Sequence, residues 1–125
     1  MIRLVVVPVA AALVLAAPAS GGHHDPAFVQ VAAREFSFSL SRSGIKPGPA
    51  AIEMVNFGAD PHNLVIRRLK DGAVLGNSGA VLSGARGEID LKLKPGKYVL
   101  YCSFANHEAL GMSATLKVKD EPPPE

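Results

Sequence analysis

The chain has 125 residues, with 13 Lys and Arg against 11 Asp and Glu for a formal net charge of +2. That length suits one domain, and the near-neutral balance gives no basis for nucleic acid or a polyanionic membrane as partner. One cysteine excludes an internal disulfide, so a small exported domain must gain stability another way, and a bound metal would supply it.

The first twenty residues, MIRLVVVPVAAALVLAAPAS, place Arg3 before an apolar run over residues 4–17 and the small residues Ala17-Pro18-Ala19. This is the layout of an export signal cleaved after Ala19. Retention as a membrane anchor is the alternative, although the run is shorter than the ~20 residues of a spanning helix. No cysteine follows it, which argues against a lipid anchor. The expected organisation is a signal peptide (1–19), an N-terminal extension with room for a first strand over residues 29–33 (20–34), one domain (35–119) and a Pro-rich tail (120–125). His23 and His24 read as part of the free terminus.

Beyond the extension the pattern is that of short strands separated by Gly, Pro, Asn and Asp. Residues 35–40 (EFSFSL) alternate, with Phe36, Phe38 and Leu40 on one face. Residues 51–57 (AIEMVNF) follow the turn-rich KPGPA, and residues 63–68 (NLVIRR) follow Gly-Ala-Asp-Pro-His. The stretch 71–87, with Gly72, Gly76, Gly79, Gly84 and Gly87, reads as an irregular crossover, with a short strand admissible at Ala80-Val81-Leu82. No Gly-Lys-Ser/Thr follows these glycines, so they do not form a phosphate loop. Residues 88–94 (EIDLKLK) alternate strictly, with Ile89, Leu91 and Leu93 inward. Residues 97–102 (KYVLYC) follow Pro95-Gly96 and are almost continuously apolar, as in a central strand. Residues 112–119 (MSATLKVK) alternate again, with Met112, Ala114, Leu116 and Val118 inward. Six or seven such strands without a convincing amphipathic helix predict an all-β sandwich. Arg67, Arg68 and Lys70 read as a solvated strand end, and Lys92, Lys94 and Lys97 as a solvated face.

The chemistry concentrates in YCSFANHEALGM, residues 101–112. Side chains alternate along a strand, so Tyr98, Leu100 and Cys102 share the core face. By the same count Met112 opens the inward series of the last strand. The hairpin brings both strand ends to one edge of the sandwich, with His107 in the loop between them. A fourth ligand must come from elsewhere, and His62, at the turn before NLVIRR, is the histidine a strand end could deliver there. One thiolate, two imidazoles and a thioether suit copper in either oxidation state. Structural zinc favours more cysteines, and an iron–sulfur cluster needs several thiolates.

Two segments also carry a resemblance. NFGADPHNLVI resembles the first-ligand segment of the cupredoxins, the plastocyanin-like small blue copper proteins, and PGKYVLYCSFANHEALGMSATLKV resembles their closing hairpin. The resemblance covers residues 35–119. It implies an eight-stranded Greek-key β-sandwich with copper at one end, and a supporting role for Asn63 in tying the two ligand loops together beside the Cys102 sulfur. Plastocyanin-type loops are shorter between Cys and His; the spacing here is closer to rusticyanin and sulfocyanin.

The function expected is that of an exported, periplasmic, monomeric carrier of single electrons, with one copper ion held by His62, Cys102, His107 and Met112. Redox proteins such as a cytochrome c, an oxidase or a reductase are the expected partners, docking on the small apolar residues around His107: Ala105, Ala109, Leu110 and Gly111. A copper chaperone or storage protein on the same fold is the alternative. A multicopper enzyme is not expected, because the residues flanking Cys102 are Tyr101 and Ser103 rather than histidines. A binuclear centre would need a second cysteine.

Overall fold

The structure is a computed structural model and describes residues 25–120. The expected export segment, His23-His24 and nearly all of the Pro-rich tail lie outside the described residues.

Nine strands form among those residues: β1 (Ala27–Arg34), β2 (Ser37–Leu40), β3 (Gly44–Ile45), β4 (Gly48–Asn56), β5 (Val65–Arg68), β6 (Val74–Asn77), β7 (Arg86–Leu93), β8 (Gly96–Tyr101) and β9 (Ser113–Val118). One sheet has the order β2-β1-β4-β7 and the other β3-β9-β8-β5-β6. The chain changes sheet repeatedly, so the core is closed from both sides by residues distant in sequence. In β1, Ala27, Val29, Val31 and Ala33 are buried at every second position. They meet Ile52 and Met54 of β4, Leu64 and Ile66 around β5, Tyr98 and Leu100 of β8, and Leu116 and Val118 of β9 in one apolar cluster. Several of these side chains have no exposed surface, and each such Leu, Ile or Met stabilises the fold by about 1.5–3 kcal/mol relative to staying in water. Tyr98 buries its ring and donates its hydroxyl to the Lys94 carbonyl at 2.7 Å, which spares the core an unpaired polar group.

The all-β sandwich is as expected, and the inward positions read from residues 97–102 and 112–119 face the core. Several boundaries differ. The run 35–40 begins as a strand only at Ser37, because Glu35 and Phe36 turn the chain between β1 and β2. The first strand is a central one, eight residues long, pairing antiparallel with β2 and parallel with β4. It lies in the stretch 20–34. β4 starts earlier than residue 51, with Pro49 near its first residue, a strand position that tolerates a missing N–H. The two unforeseen strands are edge pieces: β3 is two residues long, and β6 exposes Val74 and Leu75. At two and four residues they are too short to show alternation. At Ala80-Val81-Leu82 the chain forms a single β-bridge, from Val81 to His62. The loop between Cys102 and Met112 contains one helical turn, α1 (His107–Leu110), too short to leave a periodic signal.

Register gathers the site at one end. β1 runs parallel to β4 with Ala33 opposite Asn56, so the turn after β1 and the segment after β4 emerge together. In the other sheet Val65 pairs with Tyr101, and Tyr101 with Ser113. The start of β5, the end of β8 and the start of β9 therefore share an edge, and His62, Cys102 and Met112 stand just beyond it.

Candidate metal centre

Cys102 follows the last residue of β8 and is fully buried with a free thiol. Its N–H donates to the Met112 carbonyl at 3.1 Å, and the Met112 N–H donates to the His107 carbonyl at 3.0 Å. The closing loop is thus tied at its base by its own backbone. Met112 is fully buried beside that tie. Between them, α1 lifts His107 to the rim of the core, where its ring packs 4.9 Å from Phe36 and 5.0 Å from His62, centroid to centroid. Gly111, with a φ of +125°, ends the turn, and a Cβ there would lie 2.8 Å from the Phe36 carbonyl oxygen. Glycine is required by both conformation and space.

His62 comes from the other side. Its N–H and carbonyl exchange both hydrogen bonds with Val81, at 3.1 and 2.7 Å. Behind it, Asn56 is fully buried at the end of β4. Its amide donates to the carbonyls of Asp60 and Val81, at 2.8 and 2.9 Å, and its carbonyl accepts the Gly58 N–H at 2.9 Å. Asn56 is a buried bracket around the whole segment. An Asn followed two residues later by Gly is an Asx-turn signal, but nothing local in AIEMVNF says that this one also reaches Val81.

The two candidate ligand segments are joined directly. Asn63 donates from Nδ2 to Ser103 Oγ and accepts the Ser103 N–H at Oδ1, both at 2.7 Å. Asn63 is 2 % exposed and adjoins His62, while Ser103 adjoins Cys102. A second brace goes beyond the sequence-based expectation. Arg67, read as a solvated strand end, instead forks onto Glu108 at 3.0 and 2.8 Å and lies over the Tyr101 ring at 4.2 Å. Glu108 follows His107, so this pair anchors α1 to β5. The partner of a strand-end Arg is set by the fold, and no sequence spacing announces it.

These supports leave three donor atoms converging. His62 Nδ1 lies 3.3 Å from His107 Nδ1, and Cys102 Sγ lies 3.5 Å from His107 Nδ1. One donor atom from each of the three side chains falls within 4.8 Å of the others. Donors about 2.0–2.3 Å from one ion, spread at tetrahedral or trigonal angles, stand about 3.3–3.8 Å apart, so both separations from His107 Nδ1 fit one ion. Burial lowers the His62 pKa below its ordinary value, and the neighbouring His107 adds to that. A neutral imidazole with its Nδ1 lone pair aimed at the cluster is the ligating form. The other nitrogen of His62, Nε2, is buried without a hydrogen-bond partner, with Glu35 Oε1 at 3.6 Å. On the loop around His107, the small or apolar residues Ala105, Ala109, Leu110 and Gly111 are exposed, Leu110 by 51 %, with Asn106 exposed between them.

No family model and no curated relative matches the chain. Solved structures do. Auracyanin B aligns at 20% identity with a TM-score of 0.62, covering 77% of this chain and 91% of that one. Auracyanin A, a "blue" copper protein of the green thermophilic photosynthetic bacterium Chloroflexus aurantiacus, aligns at 16% identity with a TM-score of 0.62, covering 75% and 99%. The dithionite-reduced auracyanin of the photosynthetic bacterium Roseiflexus castenholzii aligns at 18% identity with a TM-score of 0.61, covering 76% and 97%. At these identities the likeness is one of fold, and together with the two-sheet topology it shows that this chain has the cupredoxin fold.

Proposed function

We propose that the protein is an exported carrier of single electrons that holds one copper ion between His62, Cys102, His107 and Met112. The observation that carries this reading is the convergence of two imidazole Nδ1 atoms and one thiol sulfur at the end of a cupredoxin-fold sandwich. A thiolate with two imidazoles and a weak axial thioether is the donor set of blue-copper electron-transfer sites. When bound, copper supplies the Cu(I)/Cu(II) couple.

The protein's own part is to keep the donors still. Cys102 and Met112 are held by the backbone tie at the base of the loop, His62 by Val81 and Asn56, and the two segments by Asn63 and Ser103. Fixed donors limit rearrangement between oxidation states, which favours fast exchange. His107, only partly buried, is the route outward, and the apolar rim around Leu110 is the docking face for a redox partner. Its chemistry suits a partner such as a cytochrome c, an oxidase or a reductase, approached by a monomeric carrier. Export rests on the Arg3-led apolar run and Ala17-Pro18-Ala19, and implies a periplasmic setting.

Copper loading followed by visible and EPR spectroscopy tests the reading, with Cys102→Ser as control. Intense visible absorption that Cys102→Ser abolishes supports it. Colourless Cu(I) binding with rapid exchange would instead identify a copper chaperone.

A further inference from the structure

Glu35 lies in the turn between β1 and β2, where nothing in the sequence marks it. Its Oε1 accepts the N–H groups of both Ala59 and Asp60 at 2.6 Å, and the same oxygen lies 3.6 Å from His62 Nε2. Among the described residues, Glu35 is the carboxylate within ion-pair reach of His62. The niche is shaped for it: Gly58 is buried, and a Cβ at that position would overlap the Glu35 carboxylate. Among the described residues, His62 Nε2 is the buried side-chain nitrogen without a partner. An imidazole that ligates through one nitrogen commonly donates its other N–H to a carboxylate, which fixes the tautomer and makes the ligand more basic.

We infer that Glu35 is the positioning partner of His62, with its carboxylate receiving the Nε2–H so that Nδ1 is held toward the metal and the oxidised ion is favoured over the reduced one. This rests on the copper reading above. The sign follows from charge: a carboxylate behind a ligand stabilises Cu(II) more than Cu(I) and so lowers the reduction potential. No proton is released, since Nε2 keeps its hydrogen, and the electron is exchanged with the electrode or redox partner.

Glu35→Gln isolates the charge. An amide oxygen in place of Oε1 still accepts from Ala59 and Asp60, so the turn is kept. The expected result is at least a tenfold fall in the ratio of Cu(II) to Cu(I) affinity, an upward potential shift of about 59 mV for one electron, with the unfolding midpoint unchanged. Asp60→Asn removes a neighbouring charge outside ion-pair reach of His62 and gives the baseline, where less than a threefold change is expected. Gly58→Ala keeps the charge but displaces the carboxylate, and it carries the test if Glu35→Gln fails to fold. The imidazole N–H region of the NMR spectrum of the metal-free protein gives a copper-independent readout, and the His62 Nε2–H signal should move in Glu35→Gln. A potential change no larger than that of Asp60→Asn, or an unmoved Nε2–H signal, overturns the inference. Failure of the wild-type protein to show thiolate–copper absorption counts against the copper reading instead, and leaves the NMR result to decide the Glu35–His62 contact.

Discussion

The two imidazoles of the centre are mounted differently. His62 has no exposed surface, both of its backbone groups are paired with Val81, and Asn56 brackets its segment with three hydrogen bonds. His107 starts a single helical turn whose N-cap residue, Asn106, makes no side-chain capping bond, and it is held by the loop tie, the Phe36 ring and the Arg67–Glu108 pair next door. One imidazole is built into the sandwich and the other is clamped on from outside. Rigidity and access are thus divided: the sealed side is fixed by paired backbone and a buried amide, and the clamped side carries the partly buried His107.

Breaking the sealed side should have the largest effect. Asn56→Ala removes three hydrogen bonds, each worth about 1 kcal/mol net, and leaves the Asp60 carbonyl and the buried Gly58 N–H without their partner. We expect a loss of about 3 kcal/mol or more in denaturant unfolding, together with weaker metal retention. Asn63→Ala cuts the link between the two sides. Its two bonds to Ser103 predict a loss of about 1–3 kcal/mol, and copper affinity should fall about 10–100-fold, as for other residues that orient ligands. Competition with a Cu(I) chelator measures it, and unchanged affinity would show that the two sides hold the ion independently.

Arg67→Ala loosens only the clamped side. The pair is partly exposed, so we expect about 1 kcal/mol or less, with hydrogen exchange faster in residues 104–111 and unchanged around His62 and Val81. The same pair gives a pH effect of known sign. The Arg67 hydrogen bonds hold the Glu108 carboxyl below its ordinary 4.5. Below that pH the unfolded chain takes up the proton first. The stability from this group is therefore complete above about pH 4.5 and is lost as pH falls through the folded value. Unfolding curves of Glu108→Gln at pH 7 and in acid should lack that component, and an identical acid slope would remove the pair from the account. Leu110→Glu should change stability least of all. It should leave the copper spectrum intact while slowing exchange with a redox partner, as followed by stopped-flow mixing; an unchanged rate would remove the apolar rim from the docking face.

Much of this centre is legible along the chain because strands have a period of two. Alternation in KYVLYC and in MSATLKVK is enough to put Cys102 and Met112 inward, and both are fully buried. Asn63, expected from the family likeness to tie the loops, bonds to Ser103. The edge strands β3 and β6 and the turn α1 are not legible, because two to four residues bear no reliable period. Val81 stands in the sequence only as part of a short apolar run, and its bridge to His62 spans the crossover.

The sequence by itself determined the sandwich, the inward faces of its strands and which side chains have donor chemistry, because alternation and residue type are local properties. The tertiary structure alone decided what stands behind those side chains. That Asn56 reaches Val81, that Arg67 grips Glu108 rather than water, and that Glu35 lies against the far nitrogen of His62 all depend on strands distant in sequence meeting in one register. No local pattern encodes such a meeting, because it follows from how two sheets close over a shared core.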